Sequence, residues 1–129
     1  MASVVLLDTH VVLWLYEGLL QYIPQPVQQR LNRDDLAISP LVAIELTYLH
    51  EIGRVKPMAS QVVEELAERV ELAVSDISTV ALCLAAAELN WTRDPFDRLL
   101  AAHATATQLP LVTKDATIRQ YLPLAWWAE

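Results

Sequence analysis

Four acidic residues stand in apolar surroundings, where an ionised carboxylate needs a partner. Asp8 directly follows the apolar run Val4–Leu7, and Asp115 follows a second short apolar run in the same way. Glu45 and Asp97 lie on predicted helical faces that are otherwise mainly apolar. A buried carboxylate without a partner shifts its pKa and loses its charge. We therefore treat these four acids as candidates for one shared site.

Each of these acids also has a purely structural explanation. Asp8 and Asp115 suit the N-caps of helices that begin just after them, and Asp97 suits the first turn of its own helix. Glu45 has no capping explanation, and its structural alternatives are an ion pair with a buried arginine such as Arg98 or a side chain that extends to solvent. Since four separate explanations would be needed at once, a single site accounts for the pattern more simply.

A cluster of four carboxylates has a definite chemistry. Like charges at close range are tolerated only when protons or cations neutralise them. Donor sets made entirely of oxygen select hard cations such as Mg²⁺ or Mn²⁺. Such an ion lowers the pKa of a bound water and stabilises charge on phosphate oxygens, which is the chemistry of phosphodiester hydrolysis. The residues thus predict a metal-dependent hydrolase that needs no histidine, cysteine or glycine loop.

Composition excludes several other classes of protein. The chain has 129 residues, which predicts one domain over residues 1–129 with a single core. Two glycines are too few for a glycine-rich phosphate loop or a dinucleotide-binding turn, and one cysteine rules out a disulfide framework. The net charge of −7 argues against broad attraction to nucleic acid, so a phosphate-bearing substrate would need a cation to bind.

The chain also lacks the sequence signals of export and membrane insertion. Its amino terminus has no basic segment and meets an acid at position 8, unlike a secretory signal. No apolar run approaches the ~20 residues that a membrane-spanning helix needs. We therefore predict a soluble cytoplasmic protein with no membrane partner.

The elements that position the acids alternate between short apolar runs and longer helical patterns, which predicts an α/β protein with a parallel sheet. We predict strands at 3–7, 36–39, 70–74, 109–113 and 123–127. We predict helices at 40–52, 59–69, 78–89 and 95–107, the third of them buried, and two short helices within 9–33 that break at 22–26. Because the carboxyl ends of parallel strands share one edge of the sheet, Asp8 and Asp115 should lie together there.

Four segments resemble the PIN domain, and specifically the small VapC-like ribonuclease toxins of prokaryotic toxin–antitoxin pairs. They are LLDTH from residue 6, SPLVAIEL from residue 39, RDPFDRLLAAHA from residue 93 and LVTKD from residue 111. Their order and spacing cover nearly the whole chain. The family commonly has glutamine where His103 stands, which is a small departure because that residue is not expected to bind metal.

The resemblance implies a PIN-like three-layer α/β/α sandwich with a central, mostly parallel sheet of four to five strands. It implies an endoribonuclease that uses one or two Mg²⁺ or Mn²⁺ ions, is held by a cognate antitoxin and forms a homodimer. It places the catalytic and metal-binding acids at Asp8, Glu45, Asp97 and Asp115, with Glu45 binding directly or through water. It places supporting hydroxyls at Thr9 and Thr113, and Asp94 either touches the metal or only caps its helix.

Substrate contacts and rival functions complete the predictions. The cations nearest to the motifs, Arg93, Arg98 and Lys114, are candidates for RNA binding, and Trp91 is a candidate for substrate or antitoxin contact. One rival is a PIN-fold protein that binds partners without catalysis. The other is a phospho-acceptor or phosphatase-like domain with Asp8 as nucleophile, although His10 stands where such a site expects its second acid.

Overall fold

The computed structural model describes residues 3–129, which form a parallel sheet and seven helices. The strands are β1 (Val4–Leu7), β2 (Asp35–Ile38), β3 (Ala73–Val74), β4 (Leu111–Val112) and β5 (Ala125–Trp126). The helices are α1 (Thr9–Glu17), α2 (Gln25–Arg33), α3 (Pro40–Glu51), α4 (Ala59–Val70), α5 (Thr79–Ala87), α6 (Pro95–Thr107) and α7 (Ala116–Tyr121), and a 3-10 turn spans Leu20–Tyr22. The α/β class is confirmed.

The strand order places the predicted site at one edge of the sheet. The order is β3-β2-β1-β4-β5, and every neighbouring pair is parallel. The chain runs outward from β1 through β2 to β3, and then crosses to the other side of β1 for β4 and β5. Such a reversal opens a crevice at the carboxyl ends of the central strands, where open α/β sheets bind ligands. Asp8 directly follows β1 at this crevice.

The central strand shows that both faces of the sheet are covered. Val5, Leu6 and Leu7 are all buried, although successive side chains of a strand point to opposite faces. Helices must therefore pack on each face, as the prediction of three layers requires. One large apolar cluster extends from Val5 to Leu122 and holds the sheet and its helices together.

Two predicted helix starts are confirmed with their caps. Ser39 accepts a hydrogen bond from the backbone N–H of Leu41 and precedes Pro40 at the start of α3. Asp94 caps α6 in the same way ahead of Pro95. Proline is favoured in the first turn because its missing N–H has no helical partner there. These starts orient the helices that carry Glu45 and Asp97.

Several boundaries differ from the predictions, and the strand predicted at 123–127 also narrows, to the two residues of β5. The predicted strand at 70–74 is shorter, because Val70 ends α4 and Glu71 takes a left-handed conformation with φ 56°. The break predicted at 22–26 lies earlier, since Gln25 begins α2 and a proline in its first turn is compatible with a helix. The predicted strand at 109–113 narrows to the two residues of β4.

The prediction that α5 is buried was wrong. Val80 and Leu84 are 68% and 66% exposed, and the buried residues of this helix are Leu82 and Ala86. A helix that is apolar all round carries no polar face to show which side meets solvent. Its inner side packs in a small cluster with Ala102 of α6.

The early helices divide their apolar residues between core and surface. Leu13 and Ile23 are buried, whereas Leu20 and Tyr22 are about half exposed. Over residues 3–129, no helix has both the length and the apolar composition needed to cross a membrane.

Candidate active site

Asp8 is the most enclosed of the four predicted acids, with 7% of its surface exposed. Its Oδ1 accepts a hydrogen bond from the backbone N–H of His10 at 3.0 Å and thereby caps α1. Its Oδ2 accepts a hydrogen bond from the Thr113 hydroxyl at 2.5 Å. Burial opposes ionisation, but the imidazole and N–H of His10 and the Thr113 hydroxyl outweigh it and hold the pKa of Asp8 below its ordinary value. Asp8 is therefore a fixed negative charge at the end of β1.

Thr113 links Asp8 to Asp115. The Thr113 hydroxyl is fully buried after β4, and it accepts a hydrogen bond from the backbone N–H of Asp115 at 3.1 Å. Asp115 in turn accepts at Oδ1 from the N–H of Ile118 at 2.8 Å and caps α7. One threonine thus orients a side chain on β1 and the backbone that carries a second acid.

Glu45 lies on α3 and is held by the residue that follows Asp8. The hydroxyl of Thr9 donates to Glu45 Oε1 at 2.5 Å. Burial and the charge of Asp8 raise the pKa of Glu45, although the Thr9 hydrogen bond opposes this rise. The alternative ion pair with Arg98 does not form among the described residues, because the Arg98 Nε donates to the backbone oxygen of Ala86 at 2.8 Å.

Asp97 lies close enough to the other acids for their charges to affect its pKa. Burial is the largest cause of the rise of this pKa from 3.8 to about 7, and the charges of Asp94, Asp115, Asp8 and Glu45 contribute to it in that order. Such mutual effects require the five carboxyl groups to lie near one another. Asp94 is committed to α6, since its Oδ1 accepts from the N–H groups of Phe96 at 2.9 Å and Asp97 at 3.1 Å. Capping by Asp94 is confirmed, and its contact with a metal stays a prediction.

Positive charge near these acids comes from His10 and Lys114. The His10 Nδ1 lies 3.7 Å from Asp8 Oδ1, and Asp8 raises the pKa of His10. Asp8, His10, Trp14, Lys114 and Asp115 line a cavity of about 290 Å³. Within residues 3–129 no lysine or arginine forms an ion pair with any of the clustered acids, and Arg93 is exposed beside Asp94.

A larger cavity of about 590 Å³ lies elsewhere and is lined in part by Asp34, Asp35 and Arg69. It opens at the amino-terminal ends of β1 and β2 and contains none of the clustered acids. The two guanidinium groups of Arg30 and Arg33 bind Asp34 there at 3.0 and 3.1 Å. The smaller cavity is the candidate active site because, among the described residues, its acids form no ion pair with lysine or arginine. Asp34 at the larger cavity is instead paired with two arginines.

The donor set fits a hard divalent cation. Every side chain of the cluster offers carboxylate oxygens, and burial together with the charges of the neighbouring acids raises the pKa of Asp97. Among the described residues, however, no three histidine, cysteine, aspartate or glutamate side chains are close enough together to hold one ion. Repulsion keeps ionised acids apart, so a cation would have to draw these side chains inward.

The geometry disfavours the phospho-acceptor alternative. A nucleophilic carboxylate needs a free oxygen facing the substrate. Both oxygens of Asp8 accept hydrogen bonds, and its side chain is nearly enclosed. Glu45 also has a defined place near Asp8 through Thr9, for which that alternative has no use.

Comparison with known proteins assigns the family. The model of the PIN domain matches residues 5–121. The chain belongs to the PIN-domain family. This PIN-domain chain is 32% identical over 123 residues to the "Ribonuclease VapC22" of Mycobacterium tuberculosis, and the match covers 92% of each protein.

Solved structures share the fold of this PIN-domain chain. A VapBC2 complex from Rickettsia felis, bound to a DNA fragment from its promoter, matches with a TM-score of 0.70 at 20% identity, over 97% of this chain and 99% of that one. A DNA-bound VapBC from Salmonella typhimurium matches with a TM-score of 0.63 at 23% identity, over 97% and 96%. The predicted PIN-like sandwich is thereby confirmed.

Sequence reasoning missed one residue of the cavity and favoured another. Trp14 was not among the candidate contact residues, yet it lines the cavity beside Asp8 while also packing against the core. Trp91, the predicted contact residue, stacks on Tyr121 with 5.3 Å between ring centroids and 11° between the planes. The available signal was spacing, because Trp14 stands four residues after His10 and therefore on the same side of α1.

Proposed function

We propose that this PIN-domain chain is a divalent-metal-dependent endoribonuclease and the toxin of a toxin–antitoxin pair. The observation that carries the proposal is the pair of hydrogen-bonded threonines at the carboxyl end of β1: Thr9 binds Glu45, and Thr113 links Asp8 to Asp115. The charges of these acids also reach Asp97 and help to raise its pKa to about 7. The ribonuclease name of the relative from Mycobacterium tuberculosis supports RNA as the substrate. The VapBC complexes support a protein antitoxin as the partner.

Asp8, Asp97 and Asp115 would hold one or two Mg²⁺ or Mn²⁺ ions, with Glu45 binding directly or through water. When bound, the ion supplies an acidified water and stabilises charge on the phosphate oxygens. Thr113 and Thr9 orient Asp8 and Glu45 through hydrogen bonds. With a pKa of about 7, Asp97 is about half protonated near neutral pH, and a bound cation would favour its ionised form.

The cations serve substrate binding to different degrees. Lys114 lines the cavity, so its ammonium is suited to contact an RNA phosphate beside Asp8 and Asp115. Arg93 is exposed next to Asp94 and has the reach of a second phosphate contact. Arg98 is less available, because its Nε already binds the end of α5.

The test is cleavage of single-stranded RNA by purified protein in Mn²⁺ or Mg²⁺. We expect products with a 5′-phosphate and a 3′-hydroxyl, and we expect the Asp97→Asn substitution or a chelator to abolish them. Asp35→Asn is the matched control, since it removes one carboxylate charge at the opposite edge of the sheet. Cleavage that survives in Asp97→Asn or in chelator would contradict the proposal and favour a contaminating nuclease.

A catalytically silent binding protein is the remaining alternative, and melting curves separate it from an enzyme. An ion that binds only the folded state raises stability by about 2.7 kcal/mol at a hundred times its dissociation constant. A wild-type protein that neither cuts RNA nor gains stability in Mn²⁺ would favour the silent alternative. The single domain over residues 1–129 and the homodimer stay predictions.

A further inference from the structure

The candidate cavity is lined by both acidic and aromatic side chains. Asp8 and Asp115 line it together with the indole of Trp14. Neither metal binding nor hydrolysis needs an aromatic side chain, so the proposed reaction assigns no role to Trp14 in the cavity. Its ring centroid lies 6.2 Å from that of His10, one helical turn earlier on α1. Both rings that line the cavity, His10 and Trp14, therefore belong to α1.

Trp14 is held in place by further rings. Its centroid lies 5.6 Å from that of Tyr22 and 6.2 Å from that of Trp127, with planes inclined by 30° and 60°. These inclined contacts leave part of the indole free, and Trp14 remains partly exposed at the cavity. A ring fixed in this way loses little entropy when a flat ligand packs against it.

The other tryptophans are differently placed. Trp91 is stacked almost parallel on Tyr121, so one of its faces is occupied. Trp126 lies against the guanidinium of Arg30, 4.6 Å from the ring centroid. Trp127 packs behind Trp14, and neither it nor Trp126 lines the cavity. Of these rings, Trp14 alone combines a fixed position with access to the acidic site.

We propose that Trp14 stacks on a base of single-stranded RNA next to the phosphate that is hydrolysed. The inference rests on the proposed function, because it places that phosphate near Asp8 and Asp115. A nucleotide carries its base one sugar away from its phosphate, and Lys114 on the same cavity attracts the backbone. Stacking on an aromatic ring accepts any base, so it favours unpaired RNA over a duplex, in which the base faces are already stacked.

The test is a double-mutant cycle that combines a substitution of Trp14 with an abasic nucleotide in the RNA. We would measure kcat/KM in Mn²⁺ on a short 5′-labelled single-stranded RNA, map the cut, and repeat with abasic nucleotides placed one at a time along the strand. Trp14→Leu should lower kcat/KM about tenfold, and Trp14→Phe, which keeps an aromatic face, about threefold or less. At one position beside the cut, an abasic nucleotide should lower the kcat/KM of the wild type about tenfold. The same nucleotide should leave the kcat/KM of Trp14→Leu unchanged.

Trp127→Leu is the matched control, since it removes an indole from the same aromatic cluster but not from the cavity. We expect it to lower the melting temperature as much as Trp14→Leu does, while kcat/KM stays within about twofold of the wild type. If Trp14→Leu does not fold, the abasic scan of the wild-type protein still gives the expected position-specific loss. No RNA cleavage by the wild type would refute the proposed function itself. Unchanged cleavage by Trp14→Leu, or abasic losses that multiply with the substitution, would overturn the stacking proposal alone.

Discussion

Replacing Asp97 by asparagine should stabilise the metal-free protein while it abolishes cleavage. Burial and the neighbouring acids raise the pKa of Asp97 from 3.8 to about 7. One pKa unit corresponds to about 1.4 kcal/mol, so the whole rise would lower the free energy of unfolding by about 4 kcal/mol once Asp97 is ionised. The side chain is partly exposed and water screens it, so we expect about a third of this, roughly 1–1.5 kcal/mol.

The sign follows from proton binding. Between pH 4 and pH 7 the folded protein keeps a proton on Asp97 that the unfolded chain releases, so stability falls as the pH rises through this window. Asparagine resembles the protonated acid and removes this loss. The wild type and Asp97→Asn should therefore melt together near pH 4 and separate above it. At pH 8 in chelator we expect Asp97→Asn to melt about 3–6 °C higher.

The assay is thermal unfolding across this pH range, in chelator and in Mn²⁺. The control Asp35→Asn should stay within about 0.5 kcal/mol of the wild type, because it changes the same charge away from the cluster. Added Mn²⁺ should raise the melting temperature of the wild type and leave that of Asp97→Asn nearly unchanged. If Asp97→Asn melts at or below the wild type at pH 8 in chelator, the acids do not repel one another as inferred.

Three further substitutions test what holds the site and its frame. Thr113→Val removes the hydroxyl between Asp8 and Asp115, and should cost about 1–3 kcal/mol of stability and most of the activity, whereas Thr113→Ser should retain both. Asp34→Ala leaves two guanidinium groups without their carboxylate partner, whose side chain is only 4% exposed. It should lower the free energy of unfolding in denaturant by about 2–4 kcal/mol, while the cleavage rate per folded molecule stays equal to that of the wild type. Arg69→Met removes the guanidinium bonds to backbone oxygens at the end of α1 and should cost about 1 kcal/mol, so an unchanged unfolding midpoint would contradict that role.

The strand ends were the most predictable part of the site. An acid that follows an apolar run is placed by the sheet itself, since parallel strands end at one edge, and the sequence was sufficient to bring Asp8 and Asp115 together. The helical starts at Ser39 and Asp94 were equally accessible, because cap and proline act within a few residues.

The relations between distant elements were not predictable in the same way. Thr9 was placed next to Asp8 in the chain, but its bond to Glu45 depends on how α1 and α3 pack. Whether Trp91 or Trp14 reaches the cavity depends on which neighbours cover each ring, which sequence proximity does not show. A uniformly apolar helix such as α5 carries no mark of its inner side, so its exposure also had to come from tertiary packing.

The carboxylates that make the site acidic also begin its helices. A carboxylate oxygen of Asp8, Asp94 or Asp115 accepts a hydrogen bond from the first turn of α1, α6 or α7, respectively. Asparagine or serine caps a helix about as well as aspartate does. Helix capping therefore does not by itself require the negative charge of these residues. Members of such a fold can lose catalysis through substitutions that keep every helix cap, so a folded homologue with the same architecture is not by itself evidence of an active enzyme.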